Sequence, residues 1–131
     1  MAAVESYPDD LKYHDEHDWA RFEGDEAVLG ITWFAADALG ELVHFEAPEA
    51  GSTVTKDQSY GEVESVKAVS DVIAPLSGEV LEVNQAVVDA PETVNEDPYG
   101  AGWLVRIRLS DAGEADALLD VDAYKAHVAE Q

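Results

Sequence analysis

The stretch from Gly61 to Val80, GEVESVKAVSDVIAPLSGEV, constrains the fold more than any other part of the chain. Val63, Val66, Val69, Val72 and Ile73 carry β-branched side chains that fit a pleated, half-buried surface. Ala74-Pro75 and Gly78 then close the unit with turn residues. The segment reads as strand, tight turn, strand, with Lys67 at the turn.

A lysine in that position has limited chemistry of its own. Its free amine titrates near ~10.4, so little of it is nucleophilic at neutrality, and Glu62, Glu64 and Asp71 nearby favour the charged form further. Lys67 is therefore a poor general base or Schiff-base nucleophile. As the acceptor of an activated acyl group delivered by another protein it needs only exposure and a fixed position, and a hairpin apex supplies both.

The punctuation after the hairpin has a precedent in the chain. Ala47-Pro48-Glu49-Ala50-Gly51 shares its Ala-Pro-x-x-Gly pattern with Ala74-Pro75-Leu76-Ser77-Gly78, and each is followed by a valine within three positions. Two copies of a strand-turn-strand unit suit a flattened barrel or sandwich with approximate two-fold symmetry, in which each half covers the apolar face of the other. A mainly β fold is expected, with hairpin repeats, a short helix at 33–39 and C-terminal helices.

Composition bounds the rest. A length of 131 residues suits one domain with its own core. The chain has no cysteine, which excludes disulfides and thiolate chemistry. No apolar run approaches membrane-spanning length, and the acidic start has neither a signal-peptide core nor an Arg-rich transit character, so a cytoplasmic location is expected. With 29 acidic against 7 basic residues the net charge is −22, which argues against nucleic-acid binding. Because 47% of the residues are hydrophobic, a folded core under an acidic shell is expected rather than disorder. Such a charge suits a salt-rich cytoplasm, where screening removes much of the self-repulsion.

Along the chain, residues 1–10 are expected to be flexible. His14 and His17 beside Asp15, Glu16 and Asp18 form a His-x-x-His pattern, but His44 and His127 stand alone, so no metal site is assigned. Residues 21–32 read as two strands turning at Gly24-Asp25. Thr32 can cap a helix over 33–39, in which Trp33, Phe34 and Leu39 are expected in the core, and Gly40 can end it. Strands follow at 41–47, 79–84 and 103–109, with a loop or single helical turn at 85–91 and an ordered loop at 91–102. Arg106 and Arg108 are read as a solvated strand face paired to carboxylates. Ser110 is expected to cap a helix through Leu119, and a second helix runs from Asp120 or Asp122 to about Glu130. Leu118, Val121, Tyr124 and Val128 fall at helical spacing and would pack this tail, residues 110–130, onto the barrel.

The residues Glu64-Ser65-Val66-Lys67-Ala68, Pro75, Gly78-Glu79-Val80 and Asn84 resemble the attachment segment of the glycine cleavage system H protein, a lipoyl-carrier family. Upstream, Tyr13 to Trp19, Gly30-Ile31-Thr32, Leu39-Gly40-Glu41 and Pro48-Glu49 with Gly51 match in the same order. Downstream, Pro91, Asn95, Asp97-Pro98-Tyr99-Gly100 and Gly102-Trp103-Leu104 do so too.

The resemblance implies a lipoyl-type flattened barrel and lipoate in amide linkage to Lys67, placed there by a lipoate ligase or lipoyl transferase. It implies a non-catalytic carrier, expected as a monomer. A pyridoxal-phosphate glycine decarboxylase would pass it an aminomethyl group, a tetrahydrofolate-dependent aminomethyltransferase would take the one-carbon unit, and a dihydrolipoyl dehydrogenase would reoxidise the arm. The loaded arm would fold against the carrier's surface, and the family's acidic residue in that cleft falls on Asp18. Glu64 and Asp71 are further candidates for arm or ligase contacts. Where many members place a histidine in the cleft this chain has Ala38, so that contact does not carry over. The alternative is a stand-alone lipoyl or biotinyl carrier for another pathway or for lipoate relay; biotinyl domains, however, usually flank their lysine with methionines, and here the neighbours are Val66 and Ala68.

Overall fold

The computed structural model describes residues 3–131. Period-two burial organises it into two antiparallel sheets. The larger has the order β1 (Lys12–Tyr13), β2 (Asp18–Glu23), β3 (Glu26–Ile31), β9 (Val105–Leu109), β8 (Gly78–Val83) and β5 (Thr53–Val54). The smaller has the order β4 (Leu42–Glu46), β6 (Ser59–Ser65) and β7 (Val69–Ile73). Together they make the flattened, mainly β sandwich that the sequence predicts.

The core lies between the sheets. Leu29 and Ile31 on β3, Val80 on β8 and Val105 and Ile107 on β9 meet Leu42 and Phe45 on β4, Val63 on β6 and Val72 on β7. Alternate residues of β2 and β3 face the other way. Trp19 and Val28 join Leu11, Tyr13 and Tyr124 in a second cluster beneath α4 (Val121–Ala129), so this end of the larger sheet is buried on both faces. Trp19 crosses directly over Gly30, where a β-carbon would collide with the indole ring.

The two Ala-Pro-x-x-Gly phrases come together. Val54, just after the first, pairs with Gly78, and the Gly51 and Ser52 backbones exchange hydrogen bonds with Val80 at 2.7 and 2.8 Å. Gly78 lies so close to β9 that a β-carbon would strike the Arg108 carbonyl, and Gly61 meets the Glu46 carbonyl in the same way on the smaller sheet. Backbone approach of this kind leaves no room for a side chain.

Several elements differ from the sequence reading. The helix expected from Ser110 to Leu119 is a 3-10 helix over Ala112–Ala117, capped by Asp111. It stops because Leu118 is extended and Leu119 pairs with Tyr13 through two backbone hydrogen bonds of 2.8 Å. Glu114 fastens the 3-10 helix by accepting from the Ser77 N–H and hydroxyl at 2.7 and 2.9 Å. The loop at 91–102 contains a single-turn helix, α3 (Thr93–Glu96). Before it, α2 (Gln85–Asp89) is capped by Asn84. In α1 (Trp33–Leu39) the fully buried residue is Ala36, while Trp33, Phe34 and Leu39 are half-buried at the sandwich edge. Of the N-terminal stretch expected to be flexible, residues 1 and 2 lie outside the described residues. Residues 3–10 lie against the body: the Trp33 indole donates to the Ala3 carbonyl at 2.8 Å, the Tyr99 hydroxyl to Ser6 at 2.7 Å, and the Tyr13 hydroxyl to Pro8 at 2.6 Å.

Candidate functional site

The β6–β7 hairpin ends in a turn locked by a buried serine. Ser65 is only 4% exposed, and its hydroxyl oxygen accepts from the backbone N–H groups of Lys67 and Ala68 at 3.3 and 3.2 Å. The Ser65 N–H in turn donates to the Ala68 carbonyl at 2.8 Å. One side chain thus satisfies two turn amides that no ladder partner reaches. The consequence is a rigid apex from which Val66 and Lys67 project, Val66 being 87% exposed.

Lys67 leans towards a second element. Its Cε lies 3.6 Å from where a β-carbon on Gly40 would stand, so the side chain rests on the C-terminal end of α1. Gly40 takes a positive φ of 83° and donates its N–H to the Ala36 carbonyl, an ordinary use of glycine after a helix. Asn95 on α3 holds this junction. Its amide donates to the Gly40 carbonyl at 2.9 Å and more weakly to Ala36 at 3.5 Å, while its oxygen accepts from the Leu42 N–H at 2.9 Å. Ser65, Gly40 and Asn95 are thus part of the site. Sequence reasoning saw Ser65 and Asn95 only as matches to a family and read Gly40 as the end of α1; the serine two positions before the lysine was the local signal.

Of the acidic candidates, two share the lysine's sheet. Glu64 lies on the exposed side of β6, in register with His44 on β4 and Val69 on β7. Asp71, also exposed, stands one row further down, in register with Glu62 and, across β6, Glu46, and accepts from the Ser59 hydroxyl at 3.3 Å. Asp18 is elsewhere. Only 2% exposed, it lies at the base of the hairpin between the sheets and accepts a backbone hydrogen bond from Ile73. Its Oδ1 has no partner among the described residues, and burial holds the carboxyl well above the usual carboxylate range. The Tyr60 hydroxyl, on the bulge opposite Ile73, is likewise buried without a partner; burial first and the Asp18 charge second raise its pKa. Tyr60 is seven positions back from Lys67, which at strand spacing is about 20 Å. The structure therefore rests Lys67 on the end of α1, leaves Glu64 and Asp71 on the exposed face of its sheet, and keeps Asp18 in the interior. Ala38 is exposed on α1.

The two N-terminal histidines part company. His14 accepts the Glu16 N–H on Nδ1 at 3.0 Å and meets Asp57 through Nε2 at 2.7 Å. His17 bonds the Tyr124 hydroxyl at 2.8 Å and stacks on His127 with ring centres 5.5 Å apart, and burial followed by the His127 charge lowers its pKa. Arg106 and Arg108 sit as a paired strand face: Arg106 meets Glu23 at 2.6 Å and Glu26 at 3.3 Å, and Arg108 meets Glu79 at 3.2 Å.

An amine projects from a locked hairpin apex at the end of a two-sheet sandwich, a geometry that suits a swinging-arm carrier domain. Comparison with known proteins agrees. The family model described as "Glycine cleavage H-protein" matches residues 11–131. The glycine cleavage system H protein of Anaeromyxobacter sp. (strain K) is 53% identical over 124 residues, covering 95% of this chain and 97% of that protein. That of Brevibacillus brevis is 48% identical over 124 residues, covering 95% and 98%. The crystal structure of a glycine cleavage system H protein from Mycobacterium marinum superposes with a TM-score of 0.87 at 43% identity, covering 94% of this chain and 99% of that one. The chain belongs to the glycine cleavage H-protein family, a family of lipoyl carriers that are not themselves catalytic. It works with the other components of the glycine cleavage system. Among the described residues, no helix is long and apolar enough to cross a membrane.

Proposed function

We propose that Lys67 carries the lipoyl group, and that the chain shuttles the aminomethyl group of glycine from the pyridoxal-phosphate decarboxylase to the tetrahydrofolate-dependent aminomethyltransferase. The observation that carries the reading is the apex itself: an exposed primary amine on a turn fixed by Ser65, its Cε lying against the glycine at the end of α1. Attached there as an amide, lipoate would supply a disulfide that is opened as one sulfur takes the aminomethyl group and the other becomes a thiol, the dithiol left after transfer being reoxidised by dihydrolipoyl dehydrogenase. The chain's own contribution is presentation. Ser65 sets the direction of the arm, Gly40 leaves room for it to lie down, and the sandwich keeps the attachment point clear of the carrier's bulk.

A lipoate ligase or lipoyl transferase would acylate the amine, and the protein would act as a monomer in the cytoplasm beside these enzymes. A cargo held on a tether meets successive sites at an effective concentration that can reach about a millimolar, so each docking can be weak and brief. Intact mass, followed by fragmentation across residues 61–75, tests the assignment. One lipoyl amide on Lys67 is the expected result; an unmodified Lys67 in cells making lipoate would overturn it, and a biotin adduct would move the protein to carboxylation. Lys67→Arg should keep the fold and lose all modification.

A further inference from the structure

The strand that follows Lys67 is an open edge of its sheet. β7 pairs with β6 on one side, and the smaller sheet ends there. Antiparallel pairing decides which of its backbone groups are already used. Ser65 and Ala68 are joined at the turn by a hydrogen bond of 2.8 Å, so by alternation Ser70 and Val72 bond back to Val63 and Gly61, and the N–H groups of Val69, Asp71 and Ile73 point outward. One of the three is taken, because Ile73 donates to the Asp18 carboxylate. Among the described residues the N–H groups of Val69 and Asp71 meet no acceptor, and both residues are exposed, Val69 at 58%. The other sheet margins are closed or short. α2 packs against β4, whose Leu42 N–H is held by Asn95, and β1 and β5 are two residues each.

An unpaired edge is a template for another strand, and charge decides whose. Two copies of β7 edge to edge would set Asp71 and its anionic row against themselves, on chains of net charge −22. A basic segment meets no such repulsion. Resting on the carrier reading above, we propose that the enzyme that acylates Lys67 lays an extended segment along β7, bonding through its backbone to Val69 and Asp71, with an apolar side chain beside Val69 and a lysine or arginine beside Asp71. Val69 lies two residues, about 7 Å of strand, beyond Lys67, and an added strand runs about 4.8 Å from its neighbour. Backbone pairing would therefore fix the amine in one register at the enzyme's active site. The same edge separates Lys67 from the chain's other three lysines. Lys12 lies on β1, whose Tyr13 exchanges backbone hydrogen bonds with Leu119; Lys56 is held by Asp57 at 3.0 Å; Lys125 lies on α4.

Amide hydrogen exchange reads an added strand directly. Lys67→Arg cannot be acylated, so mixed with a lipoate ligase, lipoate and ATP it presents the edge without turnover. Exchange at the Val69 and Asp71 amides should slow roughly 10-fold, the weight of one or two backbone hydrogen bonds, while Ser70 and Val72, already bonded to β6, change little. A pair of variants separates backbone from charge. Asp71→Ala removes the carboxylate; Asp71→Pro removes the outward N–H as well, at a place where an edge strand tolerates proline. The ligase's kcat/KM should fall about 3-fold in the first and about 10-fold further in the second. Acetic anhydride should acetylate Lys67 equally in both, and the Ser65 amide should stay protected; if Asp71→Pro loses that protection, the exchange pattern decides alone. Equal losses in the two variants, or slowing that does not alternate along β7, would mean a charged face and no added strand, and would overturn the proposal. Slowing of the same amides in the protein alone as its concentration rises would give the edge to a second copy and overturn it too. In each case the ligase still modifies Lys67 and the carrier reading stands; a chain that it never lipoylates would overturn both.

Discussion

The outer faces of the two sheets handle charge in opposite ways. On the larger sheet Arg106 stands between strands that each offer it a carboxylate, Glu26 on β3 and Glu82 on β8, with Glu23 reaching in from β2. Arg108 is matched in the same way by Glu79. On the smaller sheet Glu46, Glu62 and Asp71 occupy one row across three strands, and Glu64 heads the next beside His44. Carboxylates directly opposite one another destabilise a sheet. A chain with only 7 basic residues spends all three of its arginines, Arg21 on β2 included, on the larger sheet and none on the face that bears Lys67. The larger sheet is thus built to be stable. The smaller one keeps an anionic row beside the hairpin that bears Lys67, relieved only by the His44–Glu46 contact of 3.1 Å, where complementary charge on a partner can act.

The largest test of that division is Gly78→Ala. The new methyl group would meet the Arg108 carbonyl and Ile107 where β8 joins β9, and neither backbone can give way without opening the larger sheet. Overpacking of this kind should cost about 3 kcal/mol. If the larger sheet is the scaffold, chemical denaturation should show the hairpin apex melting in the same transition, reported by loss of hydrogen-exchange protection at the Ser65 and Ala68 amides and by circular dichroism together. An apex that melts separately would make the smaller sheet an independent unit.

Between the sheets, Asp18 gives a pH signature. Burial raises its folded pKa above the ordinary value of ~3.9 that it recovers on unfolding. Over that interval the native state binds more protons than the unfolded one, so its contribution to stability is complete below ~3.9 and is lost as pH rises through the folded value. Asp18→Asn should remove that dependence, so its stability relative to the parent should grow with pH. A constant difference from pH 4 to 8 would show that the carboxyl does not titrate differently on folding. His17 has the opposite sign. Its pKa is lowered, so its contribution is present above ~6.5 and fades as pH falls below that.

How much of this was legible in the sequence depends on range. The hairpin, its lysine and the caps Thr32 and Asp120 are local, set by β-branched runs, Pro and Gly punctuation, and side chains that reach their own backbone. The paired reading of Arg106 and Arg108 also followed from alternation in one strand. What escaped depends on residues far apart in the chain. Asn95 acts on Gly40 and Leu42, and Leu119 leaves its helix for Tyr13. Trp33 and Phe34 are apolar enough for a core, yet α1 lies at the sandwich edge and buries only Ala36 fully. Asp18 was a candidate for a surface cleft by resemblance, and its burial was not legible, because no single-residue property reports that Ile73, 55 positions later, closes over it.

A smaller effect is expected from Arg106→Ala. It leaves Glu23, Glu26 and Glu82 facing one another, and because all of these side chains are partly solvated the loss should be about 1 kcal/mol in dilute buffer. Thermal melts at low salt would read it. A loss that persists unchanged in molar salt would mean that the packing of the arginine stem, not its charge, matters on this sheet.

The smallest change should have the opposite sign. Glu62 stands between Glu46 and Asp71, in register with both, so Glu62→Gln removes the centre of the repulsive row while keeping the side chain's length. On the scaffold sheet deleting a charge destabilises; here it should stabilise, by about 0.5 kcal/mol at low salt. The gain should shrink in molar salt, where the screening length falls to ~3 Å. The same substitution should slow docking to whichever basic partner surface reads this face, measured as a lower association rate with the modification at Lys67 unchanged. Stabilisation without any change in association would leave the anionic row as a cost the fold merely tolerates, and a loss of stability would erase the distinction between the two sheets.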